Sequence, residues 1–338
     1  MMQENNRDVF PTDATRSMYA AIDCLITNPI LDEAFARHEA LAVKAKRRYH
    51  RLGRFAIALI AFSSIYTLAE ALILPAYPGD GVVSAATLAL AGVGIVLQLY
   101  LIFTHQKEAW LVNRYAVERL RSLKFQSFQL AHTAQTSEVL ARDANAFVQQ
   151  AVVRLENELN AGDAVIGAFQ PALAVDIRPS QTRPANADLA SLASDAFLEL
   201  RVAYQKRFAQ SELSQYASRR RIFNSSQDMI YLFAAAFAFL SLGAKLLGQF
   251  DVHISTGWFD FFAVALFVLS ATKSILDNAS IEEQSETRFG QYVRDIDQII
   301  VDAGKVPHLP RLVRDMELLC MQELDNFCRA AERISYRM

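Results

Sequence analysis

The sequence predicts an all-α membrane protein in which four transmembrane helices form two parallel hairpin repeats, each joined to long cytoplasmic helices. Three observations carry that class. Hydrophobic residues make up 52% of the 338 positions although that count omits glycine, against a usual ~45–50% that includes it. Glycine and proline are scarce, at 12 and 9 residues, about half of what average usage of roughly 7% and 5% would give. The apolar excess also collects into four long runs. A β-sandwich or barrel built on many Gly/Pro turns, a disordered chain and a polar globular enzyme all fit this composition poorly. The formal charge of −2 provides no long-range attraction to nucleic acid, so no nucleic-acid partner is expected. Three cysteines, Cys24, Cys320 and Cys328, cannot build a disulfide framework and fit a reducing compartment.

Crossing ~30 Å of hydrocarbon takes about 20 helical residues. Residues 55–74 (FAIALIAFSSIYTLAEALIL) and 82–103 (VVSAATLALAGVGIVLQLYLIF) meet that length and are separated by PAYPGDG, a helix-breaking segment. They form the first hairpin. Residues 229–247 and 258–276 flank the short segment GQFDVHISTG and form the second. Buried core helices of a soluble protein are the competing reading, but four runs of this length seldom serve that purpose. Lys44, Lys46, Arg47, Arg48, Arg51 and Arg54 precede the first hairpin, and Arg219, Arg220 and Arg221 precede the second. Both inter-helix loops lack Lys and Arg. By the positive-inside rule the loops face outward and both termini are cytoplasmic, in a multi-pass protein of the inner membrane. The first ~50 residues hold no apolar signal core, so the first hairpin is expected to act as its own insertion signal.

The second hairpin follows the first at a nearly constant offset, with runs starting at 55 and 82 echoed by runs starting at 229 and 258, which suggests a duplicated plan. No Gly or Pro occurs between Ile95 and Ala161, or between Ala185 and Leu242. Helices are therefore expected to leave the membrane and continue for many turns. The division that follows is a flexible tail over 1–13, a first repeat over 14–170, a linker over 171–184 with three prolines, and a second repeat over 185–338. Both hairpins point the same way, unlike the inverted repeats of many secondary transporters.

Immediately after the first hairpin the chain reads HQKEAWLVNRYAVERLRSLKFQSF. Trp110, Arg114, Glu118 and Arg121 are spaced by four, four and three and so share one helical face. Taken singly, Trp110 reads as an interfacial anchor and Arg114/Glu118 as an i, i+4 surface pair. Taken together, they present a face that could dock against the cytoplasmic helix of the neighbouring repeat or subunit. A hairpin followed by a W-x3-R-x3-E-x-L helix resembles the SLATT domain, the two-transmembrane effector domain associated with nucleotide-generating and SLOG sensor proteins in bacterial conflict systems. The likeness covers about residues 30–160. In the second half Arg288 stands where Arg114 does, but Gln284, Tyr292 and Asp295 replace Trp110, Glu118 and Arg121. The resemblance implies a homo-oligomeric, pore-forming effector of antiviral defence, triggered by a cytoplasmic sensor protein or nucleotide signal. Two other readings stay open: a constitutive channel or transporter, and a non-conducting membrane scaffold that recruits a cytoplasmic partner.

Charges inside hydrocarbon need a partner, water or an escape to the interface. Glu70 and Lys245 lie near the outer ends of the first and third runs, where snorkelling explains them; an outer-mouth contact between them, or a charged ring in an oligomer, is the functional alternative. Asp260 and Lys273 bound the fourth run and can reach water. Gln98 and Thr272 sit at the inner third of the second and fourth runs, where polar groups can bond between helices. The pairs Ala85/Ala89, Ala234/Ala238 and Ser270/Ser274 permit close helix approach. The basic cluster from Lys44 to Arg54 suits anionic lipid as well as topology.

No phosphate loop, dinucleotide fingerprint, HExxH or CxxC motif occurs, so no catalytic residue, cofactor or metal ligand is assigned. The six histidines are scattered. Cys320 and Cys328 lie eight apart on an amphipathic C-terminal helix and read as buried packing residues.

Overall fold

Asn28 and Pro29 begin the longest run of the first half. Asn28 Oδ1 accepts hydrogen bonds from the backbone N–H groups of Ile30 (3.2 Å) and Leu31 (3.3 Å), and Pro29 occupies the first helical position, where its missing N–H costs nothing. In the computed structural model, which describes residues 6–73, 81–160, 183–248, 257–278, 282–305 and 308–333, that start launches a helix of 44 residues. The described residues contain helices and turns and no strand. In chain order the helices are α1 (Asp13–Met18), α2 (Asp23–Ile26), α3 (Pro29–Leu72), α4 (Gly81–Phe103), α5 (Gln106–Gln126), α6 (Ser137–Asn160), α7 (Ala187–Phe197), α8 (Tyr204–Gly248), α9 (Gly257–Asn278), α10 (Glu282–Lys305) and α11 (Leu309–Arg333). Most of the expected linker, 171–182, lies outside the described residues.

The stretch from Ala185 to Leu242 behaves as its lack of Gly and Pro predicts. α3, which lies outside both Gly- and Pro-free stretches and contains Gly53, also runs without a break from its cap to Leu72. α7, a π-helical turn at Leu198–Ala203 and α8 form one continuous run, because the residues flanking the turn keep right-handed helical dihedrals. The stretch from Ile95 to Ala161 departs from expectation. α4 stops at Phe103, and His105 adopts a left-handed conformation, φ 49°, before α5 begins. A second break falls at Ser127–His132, a tight 3-10 turn, ahead of α6. Neither break uses Gly or Pro, so neither could be read from their distribution.

The chain forms two compact units, and α3 and α8 each contribute to both. The first unit holds Met1–Ala45, Glu108–Ser214 and Ser285–Glu332. Its main core joins Val9, Leu31, Phe35, Val117, Leu120, Leu123, Val148, Val152 and Leu155. Phe125, Phe128 and Phe197 are also buried and meet one another in tilted and edge-to-face contacts with ring centroids 5.7–6.0 Å apart, each such ring contributing on the order of 1.5–3 kcal/mol by burial. α5 is the central element, since every residue from Leu120 to Gln126 is buried. A helix enclosed on all sides must also bury its polar residues, here Arg121 and Lys124. Part of the tail expected to be flexible over 1–13 packs into this core: Asn6, Asp8 and Val9 are buried, while Arg7, Thr12 and Asp13 are exposed. The physical reason is that Val9 and Phe10 supply apolar contacts while Asn6 and Asp8 meet Arg121.

The second unit holds Lys46–Lys107 and Gln215–Gln284. Within it α3, α4 and α9 are each long and apolar enough to cross a membrane, and α8 carries a shorter apolar stretch, Met229–Lys245. Only about a fifth of the most apolar windows of those three helices is buried (22%, 17% and 17%). Phe62, Leu88, Val96, Phe239 and Phe267 point outward. That outward display is the opposite of a soluble core helix. Close packing is confined to special positions: a Cβ at Gly94 would come within 2.7 Å of Ile60 Cγ1 and 3.0 Å of the Ala56 carbonyl. Ser63 Oγ donates to the Thr87 carbonyl at 3.0 Å, joining α3 to α4. Ala85 and Ala89, by contrast, are both exposed, so that expected small-residue seam is not used within the chain, whereas Ser270 is buried and Ala234 and Ser274 are half-buried.

Candidate functional site

The most concentrated polar feature of the first unit is a buried ionic network centred on α5. Glu118 lies one turn from both Arg114 and Arg121 on the helix and accepts from each: Arg114 Nη2 lies 2.6 Å from Glu118 Oε1, and Arg121 Nη1 lies 2.8 and 2.9 Å from the two carboxylate oxygens. Arg114 also approaches Glu39 of α3 at 3.8 Å. On its other side Arg121 donates to Asn6 Oδ1 at 2.6 Å and lies 3.1 Å from Asp8 Oδ2. Asp8 is in turn 3.7 Å from Arg201, whose guanidinium donates to both oxygens of Glu317 at 2.7 and 3.0 Å. Lys124 donates to the Val9 carbonyl. Asp8, Arg201 and Glu317 are each 0% exposed.

Local structure explains the placement. Arg201 sits in the π-helical turn between α7 and α8, flanked by buried Leu200 and Val202, and π-turns often mark functional positions. Its guanidinium lies over the Phe125 ring at 4.9 Å, as that of Arg121 lies over Phe35 at 5.4 Å. Aromatic faces and carboxylates together stabilise charges that burial alone would reject.

The electrostatics follow from the packing. Burial opposes the charge of Glu118, yet the guanidiniums of Arg114, Arg121 and Arg201 hold its carboxyl down at about 2. Burial lowers the Lys124 ammonium to about 8, with Asp32 and Asp8 resisting. Burial raises Glu317 above the usual carboxylate range despite Arg201. The Cys320 thiol, beside the Tyr292 hydroxyl at 3.3 Å, is pushed up to about 12 by burial, so it carries little thiolate and suits packing better than nucleophilic chemistry.

Of the residues expected on the cytoplasmic face, Trp110 is 2% exposed and meets Phe327 of α11 edge-on at 6.1 Å. An interfacial anchor would be open, and this one is enclosed by its own chain. Arg288 of α10 lies over the same Phe327 ring at 5.9 Å and pairs with Glu323 at 2.8 Å. Trp110 and Arg288, from different halves of the sequence, therefore converge on one side chain of α11. Burial raises Glu323 to about 7, against the pull of Arg288.

In the second unit, Ser84 donates to the Glu70 carboxylate, and Lys245 lies 3.0 Å from Asp260 Oδ1, which also accepts from Ser241 at 2.5 Å. Glu70 and Lys245 thus each take a partner inside their own hairpin, not one another, because the nearest polar group offsets a charge in an apolar setting most directly. Thr272 Oγ1 donates to the Val268 carbonyl of its own helix at 2.7 Å and so does not bridge helices. Gln98 Nε2 is enclosed and makes no hydrogen bond. Lys273 is half-buried on α9. Lys44, Lys46, Arg47, Arg48, Arg51 and Arg54 are all exposed along α3, five of them within one face by helical spacing. The side chains of Arg219, Arg220 and Arg221 lie outside those described.

The sequence pattern does not single out Asn6, Asp8, Lys124, Arg201 or Glu317. A signal exists for two of them: Arg201 in FLELRVAY and Lys124 in RSLKFQSF are cations set among apolar residues. Asp8 carries no such mark beyond its neighbours Val9 and Phe10. Among the described residues no three His, Cys, Asp or Glu side chains converge as a metal-ligand set. Compared with protein-family models, with curated proteins and with solved structures, the chain finds no match.

Proposed function

We propose that the protein is an oligomeric, pore-forming membrane effector of a bacterial antiviral defence or conflict system, set in the inner membrane with both termini cytoplasmic and triggered from the cytoplasm by a partner protein or nucleotide signal. The observation that carries this reading is the outward display of apolar side chains by three helices of span length, joined by the apolar stretch Met229–Lys245. At ~1.5 Å per residue that stretch covers roughly 25 Å, and a snorkelling Lys245 extends its reach to the interface. Four spans enclose too little volume for a conduit of their own, so conduction requires several copies. The likeness of the Trp110–Arg114–Glu118–Arg121 helix to the SLATT pattern supports the effector role.

A tandem origin of the two halves is part of the same reading. α1, α3, α4, α5 and α6 begin at positions 13, 29, 81, 106 and 137, and α7, α8, α9, α10 and α11 at 187, 204, 257, 282 and 309. The offset between partners is nearly constant along the chain. The caps agree as well: Thr12 caps α1 and Asn186 caps α7 through side-chain oxygens. That correspondence supports two parallel hairpin modules.

Expression in bacterial cells, with and without infection, tests the proposal. A triggered loss of membrane potential, together with oligomers of purified protein that conduct in liposomes, is the expected result; Glu70→Gln or Lys245→Gln should alter the conductance. A monomer that passes no ions under either condition overturns it. The dense buried network of the first unit favours a second reading, a rigid cytoplasmic platform on a membrane anchor, for which no flux and retention of a cytoplasmic partner are expected.

A further inference from the structure

The segment Asn6–Phe10 inserts a carboxylate between two buried arginines without satisfying them. Asp8 Oδ2 is the atom nearest to both, 3.1 Å from Arg121 Nε and 3.7 Å from Arg201 Nη1. Neither oxygen of Asp8 makes a hydrogen bond, and neither of those two nitrogens does. Both arginine side chains are more than nine-tenths buried, with side-chain exposures of 6% and 0%. Unfilled donors and acceptors at that depth are costly, because each has given up its water without gaining a partner. A flat carboxylate facing two guanidinium edges therefore fills the site by charge but not by geometry.

Tethering is light just C-terminal to the segment. Within it, the Val9 and Phe10 N–H groups donate to the Asn6 carbonyl. α1, which follows it, has no buried residue, and firm anchoring resumes at Tyr19, whose hydroxyl donates to Glu199 at 2.7 Å. Its attachments to the rest of the unit include the contacts of Asn6 and Asp8 with the arginines, the bond from Lys124 to the Val9 carbonyl, and the packing of Val9 and Phe10 against Phe35 and its neighbours. Withdrawal would uncover Arg121 Nε and Arg201 Nη1, since Glu118 and Glu317 lie on other nitrogens of those guanidiniums and Asp32 acts on Lys124. Uncovered cationic donors at that depth favour the entry of another anion.

We propose that Asn6–Phe10 is a displaceable strap over an oxyanion site formed by Arg121, Lys124 and Arg201, and that the site takes the phosphate group of a small molecule in place of Asp8. A tetrahedral phosphate offers acceptors in diverging directions, suited to Arg121 Nε and Arg201 Nη1 at once, with the Lys124 ammonium adding positive charge, where the carboxylate meets neither of those nitrogens with hydrogen-bond geometry. The site is independent of whether the spans conduct, and its test reads stability and cleavage instead of flux.

The full chain in detergent or nanodiscs is compared in phosphate and in chloride at equal ionic strength. Arg7 is exposed within the strap, so trypsin cleavage after Arg7 reports strap release. Phosphate should accelerate that cleavage in the wild type by roughly threefold or more, and should raise the thermal midpoint of Asp8→Ala by about 2–4 °C over chloride. Arg201→Gln should abolish the cleavage effect. Equal behaviour in phosphate and chloride overturns the proposal, as does a phosphate effect that survives in Arg201→Gln. If Asp8→Ala does not fold, the cleavage comparison in the wild type decides alone.

Discussion

Arg201 and Glu317, 116 residues apart in sequence, form a two-pronged ion pair with no exposure to solvent, at 2.7 and 3.0 Å. The pair ties the π-helical turn before α8 to α11. Breaking one side of such a pair leaves an uncompensated buried charge, which typically costs about 3–5 kcal/mol. Arg201→Ala should therefore lower the thermal midpoint of the first unit sharply. The double substitution Arg201→Met/Glu317→Leu should recover much of the loss, because apolar side chains of similar size remove both charges together. Calorimetry of the three proteins checks the order.

Trp110 provides a test of the α5–α11 contact. Its burial against Phe327 places Trp110→Ala in the range of about 3–5 kcal/mol for large-to-small aromatic changes, with Trp110→Phe much milder. Membrane insertion should stay intact, since Trp110 is enclosed by its own chain. A variant that folds normally but leaves the membrane fraction would contradict this.

The two perturbed glutamates predict opposite pH responses. Glu118 sits at about 2 in the folded protein, below an ordinary value of about 4.3; its contribution is fully present above that ordinary value and is lost as pH falls toward 2. Glu323 sits at about 7, so between roughly 4.3 and 7 the folded state holds a proton that the unfolded state has released, and stability falls as pH rises through that window. Glu323→Gln should flatten the decline between pH 5 and 7.5. Midpoints measured across pH 3–8 for both proteins test each sign.

Gly94 lets α3 and α4 approach. A Cβ there would press on Ile60 and on the Ala56 backbone carbonyl, and a carbonyl cannot step aside as a side-chain tip can. Gly94→Val should splay the first hairpin and reduce the yield of folded membrane protein, whereas Gly92→Val, with nothing within 4 Å of its Cβ, should be tolerated. Comparing their elution profiles in mild detergent separates the two.

The helical class, the positions of the apolar runs and the unbroken run of α7 into α8 are legible in the sequence alone. These are local properties, set by hydropathy over the length of one span and, for that run as far as Leu242, by the absence of Gly and Pro. The shared face of Trp110, Arg114, Glu118 and Arg121 is legible too, since helical spacing groups them. What that face meets is fixed only in the folded chain: Phe327 against Trp110, Asn6 and Asp8 against Arg121, and Arg201 alongside. Those partners come from segments distant in sequence, and no periodicity in α5 encodes them. The same holds for the polar N-terminal stretch, which reads as a tail until a buried cation gives Asp8 a reason to be inside. Once α5 is enclosed on every side, its cations must draw in whatever anions the chain can bring, and the requirement of charge compensation at full burial selects residues that local sequence leaves unmarked.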